Sequence, residues 1–282
     1  MKFLILLSIS LLLFAKDTGF VFSALIHDEW KIVVHEKDKF KVIETELEPR
    51  TFDYDFINQR VIYIASDRTL RLTTKIKDKE IILLKSGIDA YTQPMFLPDG
   101  KNIVLVKLIK GNSSNTDIIS LNLKTKKIKS VVTQRSTQLE PYILNDANLY
   151  YSNVSCVEGC GKIIQELWYK HILSGDAYQL TLTNSISHQP SVDNQQKNIY
   201  FSSNKDGFYH IWKMSLDKHK YTQLTSGEVT DGYPMPFEDH EVIFIRRDGN
   251  KSMLMKINNI GKLTKLSLPK GYTKIRNLKV ER

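Results

Sequence analysis

After its first 14 residues the chain carries its apolar side chains in short runs rather than at helical spacing. Val61-Ile62-Tyr63-Ile64, Ile103-Val104-Leu105-Val106, Leu149-Tyr150-Tyr151, Ile199-Tyr200-Phe201 and Val242-Ile243-Phe244-Ile245 are β-branched or aromatic and are set off by turn residues. Such runs predict strands. Strict alternation of apolar and polar residues marks a strand with one wet face, whereas an unbroken quartet marks a strand covered on both faces. In an antiparallel protein that requires sheets stacked against one another, as in sandwiches and propellers.

The spacing decides between these two. Pro94, Pro141, Pro190 and Pro234 are 47, 49 and 44 residues apart, and each precedes an apolar run by eight or nine residues. A second strand follows each run (117–123, 166–172, 210–216, 252–257), and a short segment ends the unit. Two of those endings, Tyr178-Gln179-Leu180-Thr181 and Tyr221-Thr222-Gln223-Leu224-Thr225, match closely. A four-strand unit recurring at this period is the signature of a propeller blade.

The residues also resemble a known repeat. Gln93-Pro94-Met95-Phe96-Leu97-Pro98-Asp99-Gly100-Lys101-Asn102-Ile103 is similar to the first half of the TolB-type, WD40-like (PD40) repeat. The second half is similar to Ile199-Tyr200-Phe201-Ser202-Ser203-Asn204-Lys205-Asp206-Gly207-Phe208-Tyr209-His210-Ile211-Trp212, with Gln223-Leu224-Thr225 behind it. The units at Glu140 and Tyr233 lack the Pro-Asp-Gly turn and carry Asn145-Asp146 and Glu238-Asp239 instead. The expectation is an all-β, six-bladed β-propeller of four-stranded antiparallel blades. The blades are expected at 24–48 (incomplete), 49–88, 89–136, 137–185, 186–229 and 230–271, closed by a C-terminal strand near 272–279 that pairs with the first blade. TolB carries a separate α/β domain before its propeller, for which this chain is expected to have no room.

Met1-Lys2, an apolar stretch from Phe3 to Phe14, and then Lys16-Asp17 form an export-signal pattern. Twelve residues are too few for a helix to cross a bilayer core, which takes about 20. The expected division is a signal over 1–23, cleaved before Ala24, and one propeller over 24–282; cleavage after Ala15 and an uncleaved anchor are the competing readings. Localisation is then periplasmic or secreted, without stable membrane insertion after cleavage. A composition of 41 % hydrophobic and 25 % charged residues excludes a disordered chain. The net charge of +9 comes from 40 basic residues, only nine of them arginine. That balance argues against nucleic acid, whose recognition favours arginine.

Cys156 and Cys160 are expected to form a local disulfide in an exported chain. Their C-x3-C spacing, with no second ligand pair nearby, does not suit a redox or metal pair. The lysines at 124, 126, 127 and 129 are read as the guard of an outer strand edge, with a binding patch as the alternative. No nucleophile elbow and no phosphate loop is present, and none of the seven histidines forms an H-x-x-x-H pair.

His188 stands out because it precedes Pro190, where a propeller chain enters its innermost strand beside the channel. With Asp89, Tyr91, Gln93, Gln138, Glu140, Gln189, Asp231 and Tyr233 it is expected to form a polar channel mouth that binds a partner. The function expected is a monomeric, non-enzymatic binding module of the cell envelope, with no cofactor. The resemblance implies an envelope protein as partner, a peptidoglycan-associated lipoprotein among that class. The alternative is a metal-dependent lyase or lactonase acting on a small sugar acid, motivated by His188 among Glu140, Gln189 and Asp231.

Overall fold

The computed structural model describes residues 18–73, 80–85, 87, 89–109, 115–156, 161–238 and 240–282. Blade 1 contains β1 (Phe20–Ile26), β2 (Glu29–Glu36) and β3 (Lys39–Ile43). Blade 2 runs from β4 (Pro49–Asp55) through β5 (Arg60–Ala65) and β6 (Leu70–Thr73) to β7 (Ile81–Leu84). Blade 3 is built from β8 (Ala90–Phe96), β9 (Asn102–Leu108), β10 (Thr116–Asn122) and β11 (Ile128–Val132). In blade 4, β12 (Thr137–Ile143) and β13 (Asn148–Cys156) are followed by β14 (Ile164–His171) and β15 (Ala177–Gln179). Blade 5 has β16 (Ser187–Val192), β17 (Asn198–Ser203), β18 (His210–Ser215) and β19 (Tyr221–Gln223). Blade 6 has β20 (Thr230–Phe237), β21 (Glu241–Asp248), β22 (Lys251–Ile257) and β23 (Leu263–Lys265).

The last strand, β24 (Tyr272–Val280), pairs antiparallel with β1 and completes blade 1 in the order β24-β1-β2-β3. The first strands of neighbouring blades (β4, β8, β12, β16, β20 and β24) contact one another around the ring and line its channel. Strands within a blade are called A to D from the channel outward, so β24 is strand A of blade 1. The A–B and C–D turns lie on one face of the ring, called the A–B face. The B–C turns and the D-to-A connections lie on the other, the D–A face.

The six-bladed architecture and its closure by the C-terminal strand are as the repeat implies. One boundary differs: β1 begins at Phe20, and Phe20, Val21 and Phe22 are buried. The expected cut before Ala24 therefore falls inside a strand, and the first blade is complete only with residues 20–23. The sequence reading missed this strand because its apolar run continues the signal-like pattern.

The quartets show why both faces of each strand are apolar. Along β5, Val61 and Tyr63 enter a core shared with blade 1, while Ile62 and Ile64 enter a core shared with blade 3. Along β21, Val242 and Phe244 pack toward blade 5, and Ile243 and Ile245 join the large core on the other side. A strand's period of two thus feeds two inter-blade cores at once.

The matched Gln-Leu-Thr endings also have a physical cause. Thr181 Oγ1 accepts the Leu167 N–H at 2.8 Å and Thr225 Oγ1 accepts the Ile211 N–H at 2.9 Å. Gln179 and Gln223 donate through Nε2 to the carbonyls of Thr181 and Thr225, at 2.7 and 2.9 Å. The motif terminates the outer strand and ties it back to strand C. The A–B turns are held by side-chain acceptors: Asp99 Oδ1 accepts the N–H groups of Lys101 and Asn102, and Asn145 Oδ1 those of Ala147 and Asn148. Asparagine therefore replaces the Pro-Asp-Gly turn without loss of its hydrogen bonds.

Candidate functional site in the central channel

Each strand A of blades 3 to 6 carries a bulge just before its proline, and so does β24 before Leu278. The bulge residues Gln93, Glu140, Gln189, Tyr233 and Asn277 all have left-handed backbones, with φ between 50° and 57°. Glycine would take this conformation most easily, yet each position carries a side chain that is used. Gln93 Oε1 accepts the Glu140 N–H at 2.7 Å, Glu140 Oε2 accepts the Gln189 N–H at 2.7 Å, and Gln189 Oε1 accepts the Tyr233 N–H at 2.6 Å. Thr51 Oγ1 accepts the Gln93 N–H at 3.0 Å. A belt of side-chain acceptors thus passes from blade to blade. Gly232 belongs to it by default, because a Cβ there would come within 2.9 Å of Gln189 Oε1.

The belt lines a cavity of about 150 Å3, together with the three prolines 94, 141 and 190 and with Phe52, Met235 and Lys279 in the ring's interior. Pro94, Pro141 and Pro190 are three of the four register prolines; the fourth, Pro234, has its carbonyl bound by Ser191 Oγ at 2.6 Å. Glu140 is the one carboxylate of the belt. Burial opposes its ionisation, but His188, the Gln189 N–H and the Ser152 hydroxyl outweigh burial and hold it below the ordinary glutamate value. His188 Nδ1 lies 3.3 Å from Glu140 Oε1, and its ring packs edge-on against Tyr209 at 5.2 Å. Burial pulls the Lys279 ammonium below its ordinary value and raises the Tyr233 phenol.

Of the nine residues read from the sequence as a channel mouth, Gln93, Glu140, Gln189 and Tyr233 line the cavity and His188 touches it through Glu140. Tyr91 packs beside the core between blades 2 and 3, and Asp89 pairs with Lys107 at 2.8 Å near the rim. Gln138 and Asp231 are fully buried. Gln138 Nε2 is spent on Ser136 and Asn153, and Asp231 is clamped by Arg246 at 2.8 Å through two parallel bonds. Neither side chain is reachable by a docked protein, because each is needed to satisfy its own blade. Cys160 lies outside the described residues, and with it the expected disulfide to Cys156.

Four channel residues escaped the sequence reading. Asn277 follows Tyr233 by 44 residues, the same step that separates Gln189 from Tyr233, but leucine instead of proline follows it. Lys279 and Asp53 sit in strands without the marker. Arg282, the last residue, reaches across the channel: its guanidinium donates to the Ile143 carbonyl at 2.8 Å and to Asp53 Oδ2 at 2.9 Å. Beyond it, on the A–B face, opens a funnel of about 800 Å3 lined by Thr18, Asp193, Glu238, Glu281 and Arg282 among others.

Among the described residues no group of three or more His, Cys, Asp or Glu is placed to hold a metal ion. The channel brings together two such groups, Glu140 and His188.

No family model matches the sequence, and no curated protein matches it. Solved structures do. TolB from Acinetobacter baumannii superposes with a TM-score of 0.76 at 14 % identity, over 94 % of this chain and 67 % of that one. A Mycobacterium tuberculosis puromycin-hydrolyzing peptidase gives 0.63 at 12 % identity, over 92 % of this chain but only 48 % of the peptidase. An oligogalacturonate lyase in complex with manganese gives 0.62 at 11 % identity, over 90 % and 76 %. The class is a six-bladed β-propeller, distantly similar in fold to TolB and to propeller enzymes. At these identities the likeness is one of fold, which hosts unrelated functions.

Proposed function

We propose that the chain is an exported, non-enzymatic propeller that binds another protein of the cell envelope through its D–A face. One observation carries this reading. On blades 4 and 5 that face presents Ile163, Leu182 and Phe208 at 50 %, 83 % and 49 % exposure, on successive loops. Apolar side chains gathered on loops held by rigid blades suit docking of a partner loop or peptide, because the surface is ordered before contact. The belt supports the reading from beneath, since it fixes the strands from which these loops spring.

Export follows from the sequence pattern of residues 1–17, and a cleavage that spares β1 must precede Phe20; the site after Ala15 does so. The periplasm is the proposed compartment, and a peptidoglycan-associated lipoprotein is the partner class that the TolB-like repeat suggests. The lyase reading has less support, because two donors fall short of the three or more that a transition-metal site takes.

Crosslinking in the native host, followed by mass spectrometry, tests the proposal. Leu182→Asp with Phe208→Asp should reduce capture of one defined envelope protein, and its affinity in purified form, by at least about tenfold. Unchanged capture by the variant would remove the D–A face as the docking surface.

A further inference from the structure

The opposite face has a different chemistry. Its described outer C–D turns carry exposed lysines: Lys37 and Lys39 on blade 1, Lys124, Lys126 and Lys127 on blade 3, Lys218 and Lys220 on blade 5. Lys262 on blade 6 makes eight, against four acidic residues (Asp38, Glu80, Asp176 and Asp217) in the described C–D turns. On blades 2, 4 and 6 the same face carries Ile57, Leu173 and Ile260, exposed by 82 %, 79 % and 80 %. Basic turns and bare apolar tips share this face, while the acidic groups Asp193, Glu238, Glu241 and Glu281 line the funnel within it.

The chain also enters the propeller on this face. Strand β1 starts there, since Gly19 lies against Glu281 at the end of β24 and Thr18 lines the funnel. Residues 1–17, with the apolar stretch from Phe3 to Phe14, join the propeller at that point.

We propose that the A–B face docks on the surface of an anionic phospholipid bilayer. The lysine turns meet the headgroups, and Ile57, Leu173 and Ile260 reach the interfacial region as three spaced contacts. The D–A face is then turned away from the membrane and free for a protein partner. Lysine at an anionic surface contributes about 1 kcal/mol per residue, and exposed aliphatic tips gain by burial in the interface.

The test is sedimentation of the purified full chain with vesicles of phosphatidylethanolamine and phosphatidylglycerol, and with vesicles of phosphatidylcholine alone. Binding is expected to the first and not to the second. Replacing Lys124, Lys127, Lys218 and Lys220 by Gln should weaken it about a thousandfold, from about 1 kcal/mol per lysine. Ile57→Ser with Leu173→Ser and Ile260→Ser should weaken it about tenfold or more, while leaving binding to soluble heparin unchanged. All seven positions are in exposed turns, so the melting temperature should not move. Leu182→Ser with Phe208→Ser, on the other face, should leave vesicle binding intact. Three results would overturn the proposal: no binding of the wild-type chain, binding undiminished by the lysine replacements, or binding indifferent to the apolar tips, which marks a general polyanion surface.

Discussion

The junctions between blades 3 and 4, 4 and 5, and 5 and 6 use one repeated bond between bulges, and the seam that closes the ring keeps the bulge, at Asn277, without that bond. At the former, an acceptor on one bulge takes the N–H of the bulge 44 to 49 residues onward. At the seam, strands 20–26 and 272–280 pair across nearly the whole length of the chain, and Arg282 reaches over the channel to Asp53 and Ile143. A repeat can copy a junction only between consecutive units, so the one junction joining the two ends has to be built separately. It is built from more elements, and each is expected to have a larger effect.

Deletion of residues 272–282 should have the largest effect. It removes strand A of blade 1, leaves the inner edge of β1 unpaired, and strips Ile275, Leu278 and Val280 from the large core. The expected outcome is loss of a cooperative thermal transition by circular dichroism; a melt unchanged from the intact chain would show that the seam does not hold the ring.

Arg282→Ala comes next. Asp53 is 2 % exposed, and without the guanidinium the hydrogen bond left to its carboxylate among the described residues is that from the Phe96 N–H at 2.8 Å. Removing one partner of a buried ion pair costs about 3 kcal/mol, or a fall in melting temperature of about 6 to 12 °C for a chain of this size. The double variant with Asp53→Asn should recover part of that loss. If Arg282→Ala melts like the wild-type chain, the crossing contact is not what locks the channel.

The same contrast separates what was legible in the sequence from what was not. The repeat showed itself through its prolines, its Gln-Leu-Thr endings and its apolar quartets, because each is a local answer to a local need: a bulge, a tied outer strand, two cores. The bulge residues were placed at the channel by that register, but their role as inter-blade acceptors was hidden, since a polar residue before proline reads equally as a solvent-facing mouth. Asp231 and Gln138 illustrate the cost of that ambiguity: their partners, Arg246 and Asn153, lie one strand over and 15 residues away. Arg282 and Asp53 are 229 residues apart and belong to no repeated pattern, so only the closed ring brings them together.

Glu140 supplies the finest test of the belt. At this position Gln93 and Gln189 do the same work as neutral amides, so Glu140→Gln keeps an acceptor for the Gln189 N–H and should cost less than about 1 kcal/mol near neutrality. Glu140→Ala leaves that N–H without its partner and should cost about 1 to 3 kcal/mol. The charge itself has a separate signature. Because its folded value lies below the ordinary 4.5, ionised Glu140 adds stability that is complete above 4.5 and is lost as pH falls through the folded value. Urea melts of the wild-type and Gln chains should therefore differ most near neutrality and converge well below 4.5, with the wild type the more stable wherever they differ. A gap that stays constant over that range would mean that the His188 contact contributes through packing against Tyr209 and not through the carboxylate's charge.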